Sequence, residues 1–116
     1  MASFAFPPGR RLRRRGEFQR VFDSGRRAHG RYLTIIAAPG RGTDSRLGIV
    51  ASRKLGGAVV RNRAKRLIRQ VFRTQTKPAA PFDLVVIPKP ALFEADPDAL
   101  ALDYRQILNR CGVSKP

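Results

Sequence analysis

At 116 residues the chain fits a single domain with a modest core, and 42% hydrophobic residues argue against wholesale disorder. Twenty-four Lys and Arg face eight Asp and Glu, a formal charge of +16. Such self-repulsion opposes compaction and points to a polyanionic partner. The single Cys111 excludes an intramolecular disulfide or a multi-cysteine zinc site. No apolar run reaches transmembrane length, and "MASFAFPPGRR" lacks a signal peptide's order of basic then apolar residues. A cytoplasmic protein without membrane association is expected.

Residues 1–13, with Pro7, Pro8, Gly9 and an arginine cluster, read as a flexible basic arm, and 14–113 as one α+β domain. "RRGEFQRVFDSG" (14–25) predicts a short helix, with Phe18, Val21 and Phe22 on one face and Gly25 at its stop. "RYLTIIAA" (31–38) predicts a strand, with "RRAHG" before it as a hairpin arm. "PGRGTDS" carries turn chemistry, and "RLGIVASRK" (46–54) predicts the next strand. A helix over 59–73 follows two glycines and ends before "TKPAAP". "FDLVVIPK" (82–89) reads as a strand buried on both faces. "PALFEADPD" reads as a loop, and residues 98–112 as a closing helix with Leu100, Tyr104, Ile107, Leu108 and Cys111 at helical spacing. The order helix–strands–helix–strand–helix predicts helices packed on one mixed sheet.

The 59–73 helix is the most informative element. Val60, Ala64, Leu67, Ile68 and Val71 form a core-facing stripe. Arg61, Asn62, Lys65, Arg66, Arg69 and Arg73 lie opposite, with Arg63 on the flank and no acid anywhere in the segment. Like charges four residues apart cost a few tenths of a kcal/mol per pair, and a face built only for solubility would interleave Glu. This outer face therefore suits phosphate. Basic residues also concentrate upstream: residues 1–78 hold 20 Lys/Arg against 3 Asp/Glu, and 79–116 hold 4 against 5. Arg outnumbers Lys by 19 to 5, which suits RNA, although GC-rich codon usage gives the same ratio.

"SRKLGGAVVRNRAKRLIRQVFR" (52–73), preceded by "RLGIVAS", closely resembles the signature of the protein subunit of bacterial ribonuclease P. "EFQRVFDSG" and "FDLVVIPKP" fit that family's first helix and last strand, so the resemblance spans roughly residues 10–110. It implies an α/β sandwich with a left-handed βαβ crossover, where general statistics favour a right-handed one. It implies a cofactor that binds the catalytic RNA and the 5′ leader of precursor transfer RNA, with hydrolysis by largely RNA-bound Mg²⁺. On matching positions, Ser52, Arg53, Lys54, Arg61, Asn62, Arg63, Lys65, Arg66 and Arg69 resemble the RNA-facing motif. Phe18 and Phe22, with Tyr32, Thr34 and Ile36 of the next strand, would line a cleft for the single-stranded leader, where aromatic faces stack on unpaired bases. Two departures stand out: Ile36 replaces a common family aromatic, and Arg53 a more usual lysine. Phe4 and Phe6 of the arm have no clear counterpart.

Other classes fit less well. An unaided nuclease would need clustered carboxylates or histidines. The lone His29 reads as a surface or RNA-contacting imidazole. Glu94, Asp96, Asp98 and Asp103 read as helix-start acids, Asp83 as structural, and Cys111 as a buried inert thiol. A helix-turn-helix DNA binder lacks a second helix just before the basic one. A structural RNA-binding protein, such as a ribosomal subunit, matches size and composition equally; only the Arg61–Asn62–Arg63 run and its flanks argue against it.

Overall fold

The computed structural model describes residues 11–42, 44–75 and 80–113. In chain order they form α1 (Arg15–Ser24), β1 (Arg26–His29), β2 (Leu33–Pro39), β3 (Arg46–Ile49), α2 (Ala58–Thr74), β4 (Phe82–Pro88), a 3₁₀ turn (Pro90–Glu94) and α3 (Pro97–Arg110). The strands make one sheet in the order β1-β2-β4-β3. β1 pairs with β2 and β2 with β4, both antiparallel, while α2 carries the chain from β3 to its parallel neighbour β4.

Strand alternation divides the interior in two. Leu33, Ile35, Ala37, Leu47, Leu84 and Val86 face α2 and α3 and meet Ala64, Ile68, Val71, Phe72, Leu100, Tyr104 and Ile107. Ile36, Ala38 and Val85 face α1 across a smaller cluster with Leu12 and Val21. β2 and β4 are buried on both faces because helices cover both, as the continuous apolar run in β4 leads one to expect. Val21 anchors α1; burying such a side chain contributes about 1.5–2 kcal/mol.

Several boundaries shift from the sequence expectation for identifiable reasons. β3 ends at Ile49; Val50 N–H still donates to the Val86 carbonyl (3.0 Å), and the chain then turns through Ser52–Gly56. Gly56 adopts φ +152°, a backbone region L side chains rarely enter, and a Cβ there would lie 2.9 Å from Val60. The segment read as a loop, Pro90–Glu94, holds a 3₁₀ turn pinned by the fully buried Leu92. Residues 1–10 of the proposed arm, including Phe4 and Phe6, lie outside the described residues. Residues 11–13, assigned to that arm, are instead docked. Arg11 bridges to Leu47 in parallel, Leu12 N–H donates to the Leu47 carbonyl (2.9 Å), and the Leu12 side chain is buried.

Candidate RNA-binding surfaces

The α1 face of the sheet is arranged in rows fixed by strand register. His29, Thr34, Ile87 and Val50 form one row, and Arg27, Ile36, Val85 and Gly48 the next. The Phe18 ring lies so close to β3 that a Cβ on Gly48 would sit 2.5 Å from its Cε1. Only glycine admits that approach. Phe18, Phe22, Val50 and Ile87 are partly buried around the α1-side cluster, giving a half-open apolar cleft with two aromatic rings. Val50 and Ile87 were not among the expected cleft residues; strand alternation could have placed them there.

Of the other three expected cleft residues, Thr34 and Ile36 lie on this face but are covered, and Tyr32 does not lie on it. Thr34 is buried, and its hydroxyl lies 2.9 Å from His29 Nδ1. Ile36 is 1% exposed, wholly covered beneath α1, so it is floor and not wall. Tyr32 belongs to the opposite, α3-side core. The chain bends at Arg31 and Tyr32 because both Asp103 carboxylate oxygens accept their backbone N–H groups (2.9 Å each), which breaks the strand alternation just before β2. Tyr32 thus serves as a seat for the Arg31 guanidinium, 5.4 Å from its ring centroid.

Between α1 and the sheet, Glu17, Arg20, Arg46 and Asp83 engage one another. Asp83 has no exposed surface; it accepts Arg46 Nε (3.0 Å) and Nη2 (2.8 Å), and Arg20 Nη2 closes on the same carboxylate. Arg46 Nη1 also reaches Glu17 (2.5 Å). Glu17 accepts the backbone N–H groups of Arg14 and Arg13 (2.9 and 3.0 Å). Those two bonds chiefly, with Arg46 adding to them, hold its carboxyl down at about 2. Hydrogen bonding to Asp83, with both acids' charges, pushes the Arg46 guanidinium up.

α2 presents the opposite situation. Ala64, Ile68, Val71 and Phe72 are buried, while Asn62, Arg63 and Arg66 are exposed and Arg61, Lys65 and Arg69 half-buried. Among the described residues no carboxylate pairs with any of these cations. Burial, then repulsion from Arg11 and Arg73, pulls the Arg69 guanidinium below its ordinary range. Arg11, Asn62, Arg66, Arg69 and Arg73 line a hollow of about 400 Å³. A narrower groove of about 120 Å³ follows the edge of β3 and joins Phe18 to Lys65 and Arg69, so cleft and basic helix are continuous. Ser52, Arg53 and Lys54 form the exposed turn leading into α2.

Asp103, expected among the helix-start acids, instead lies inside α3 and ties down the Arg31–Tyr32 backbone, whereas Asp96 and Cys111 keep their expected roles. Asp96 caps α3 by accepting Ala99 N–H (2.8 Å). Cys111 is buried, and that burial pushes its thiol up. No helix among the described residues is long and apolar enough to cross a membrane.

Comparison with known proteins agrees with this geometry. The ribonuclease P family model matches residues 6–112. The chain is 38% identical over 111 residues to the ribonuclease P protein component of Desulfatibacillum aliphaticivorans, covering 95% of this chain and 94% of the relative. It is 43% identical over 106 residues to that of Roseiflexus castenholzii, covering 89% and 86%. The Thermotoga maritima ribonuclease P protein superposes with a TM-score of 0.76 at 36% identity, covering 86% of this chain and 96% of that one. The Staphylococcus aureus protein gives 0.77 at 27% identity, covering 90% and 96%. With the two-faced sheet, the unneutralised helix and these matches together, the chain belongs to the family of ribonuclease P protein components.

Proposed function

We propose that this chain, as the protein component of a bacterial ribonuclease P, meets RNA on two adjoining surfaces. The outer face of α2 and the 52–54 turn hold the catalytic RNA subunit; the cleft between α1 and the sheet receives the single-stranded 5′ leader of precursor transfer RNA. One observation carries this reading. Arg61, Arg63, Lys65, Arg66 and Arg69 have no carboxylate partner among the described residues, and the β3-edge groove connects Lys65 and Arg69 to Phe18. Phosphates neutralise such a helix, whereas the exposed faces of Phe18 and Phe22 offer stacking to unpaired bases.

Hydrolysis itself is assigned to Mg²⁺ carried by the RNA. Four of the chain's eight acids are already engaged: Asp83 by arginines, Glu17 and Asp103 by backbone amides, and Asp96 by a helix cap. We place the activity in the bacterial cytoplasm, as expected of a ribonuclease P protein component.

The test is cleavage of a precursor transfer RNA at low Mg²⁺ by a bacterial ribonuclease P RNA, with and without this protein. RNA plus protein is expected to cleave at the mature 5′ end where RNA alone does not, and protein alone is expected to be inactive. Binding without any change in cleavage would replace this reading with a structural RNA-binding role.

A further inference from the structure

Arg63 is held differently from the other cations of α2. Its guanidinium carbon lies 5.3 Å from the centroid of the Phe93 ring. Among the described residues Arg63 makes no hydrogen bond and no ion pair. Phe93 comes from the 3₁₀ turn after β4, thirty residues downstream. Its neighbour Leu92 is fully buried, Leu92 N–H donates to the Lys89 carbonyl (2.9 Å), and Ala95 N–H donates to the Leu92 carbonyl (3.2 Å). The ring is itself half-buried against the main core. The seat is therefore rigid.

How an arginine is held decides what it can still do. A carboxylate takes the N–H edge of the guanidinium and cancels its charge, as Asp83 does to Arg46. An aromatic ring takes only the flat face, leaving the charge and the forked N–H donors available. On an exposed helix, a long side chain seated this way loses less freedom when it meets a phosphate or a base edge.

We propose that Phe93 is a positioning residue for Arg63, pre-orienting its guanidinium toward RNA without using any of its donors. The proposal rests on the reading of α2 as the RNA-facing helix. It assigns a binding role to a turn that lies outside the basic motif and carries no charge complementary to RNA.

A double-mutant cycle tests it. Affinity for a bacterial ribonuclease P RNA would be measured across a salt series for the wild type, Phe93→Leu, Phe93→Tyr, Arg63→Ala and Arg63→Ala/Phe93→Leu. Phe93→Leu keeps most of the apolar volume and loses the π-face. It is expected to weaken binding about two- to fivefold with an unchanged salt slope, because no charge is removed. Phe93→Tyr is expected to bind like the wild type. In the Arg63→Ala background, Phe93→Leu is expected to add nothing. An equal loss in both backgrounds would mean that the ring only supports the fold, and no loss in either would mean that the seat is idle; both overturn the proposal. If Arg63→Ala alone keeps the wild-type affinity and slope, Arg63 is not in the interface, and the underlying assignment fails with it.

Discussion

Arg20 on α1 and Arg46 on β3 both close on the fully buried Asp83 carboxylate, whereas Arg61, Arg63 and Arg66 on α2 meet no carboxylate among the described residues. Both regions are arginine-rich, and both lie against the same sheet. In the first, the guanidinium edges are consumed in joining α1 to β3 and β4, so the charge does structural work. In the second, the edges stay open and the charge is uncompensated until an anion arrives. A chain with eight acids and a net charge of +16 has placed Asp83, Glu17 and Asp103 where they tie secondary structure together, and none on its basic helix. Mutations in the two regions should therefore have opposite signatures: stability in one, salt-dependent affinity in the other.

The largest effect is expected at Asp83. Asp83→Ala leaves Arg20 and Arg46 without their buried counter-charge and should destabilise the fold by about 3–5 kcal/mol, measured by urea denaturation of the free protein. A loss below about 1 kcal/mol would erase the distinction between the two regions. Phe18→Ala should weaken binding of leader-bearing precursor by about 1–3 kcal/mol, with a smaller effect on substrate lacking a leader. Equal losses for both substrates would assign the ring to core support alone.

Glu17→Gln should cost about 1 kcal/mol of stability, through the weakened capping of α1 and the lost pair to Arg46. The pH dependence of that difference has a definite sign. The Glu17 carboxyl is held at about 2 in the fold against 4.5 for its unperturbed value, so its contribution is fully present above pH 4.5. It should fade as the pH falls toward 2, and the Glu17→Gln gap should close over that window in acid titrations of stability. The smallest effect is at Cys111. Its thiol is buried and pushed up, so alkylation of the native protein should be much slower than in denaturant, with no change in RNA binding.

Much of this could be read from the sequence where local pattern decides. The apolar stripe and uncompensated outer face of α2, the strands at β2 and β4, and the Phe18–Val21–Phe22 face of α1 all follow from periodicity. What escaped depends on contacts between distant residues. Tyr32 is drawn to the α3 side by Asp103, seventy-one residues away in sequence. Ile36 is covered because α1 folds back directly over it, a matter of helix placement that strand alternation does not give. Phe93 lay in a segment with loop composition, and only the adjacency of the 3₁₀ turn to α2 brings it under Arg63. Asp83 did leave a trace: a lone charge inside "FDLVVIP" must find a partner once that strand is buried on both faces. Which arginines answer it required the fold.

The most direct test of the division between structural and RNA-facing arginines is the salt dependence of binding to ribonuclease P RNA for the Arg61→Ala/Arg63→Ala double variant. The slope of log affinity against log salt should fall by nearly two, since each phosphate contact contributes close to one, while urea stability stays within about 0.5 kcal/mol of the wild type. A variant with the wild-type slope and a clear loss of stability would place these arginines with Arg20 and Arg46, and would contradict the account.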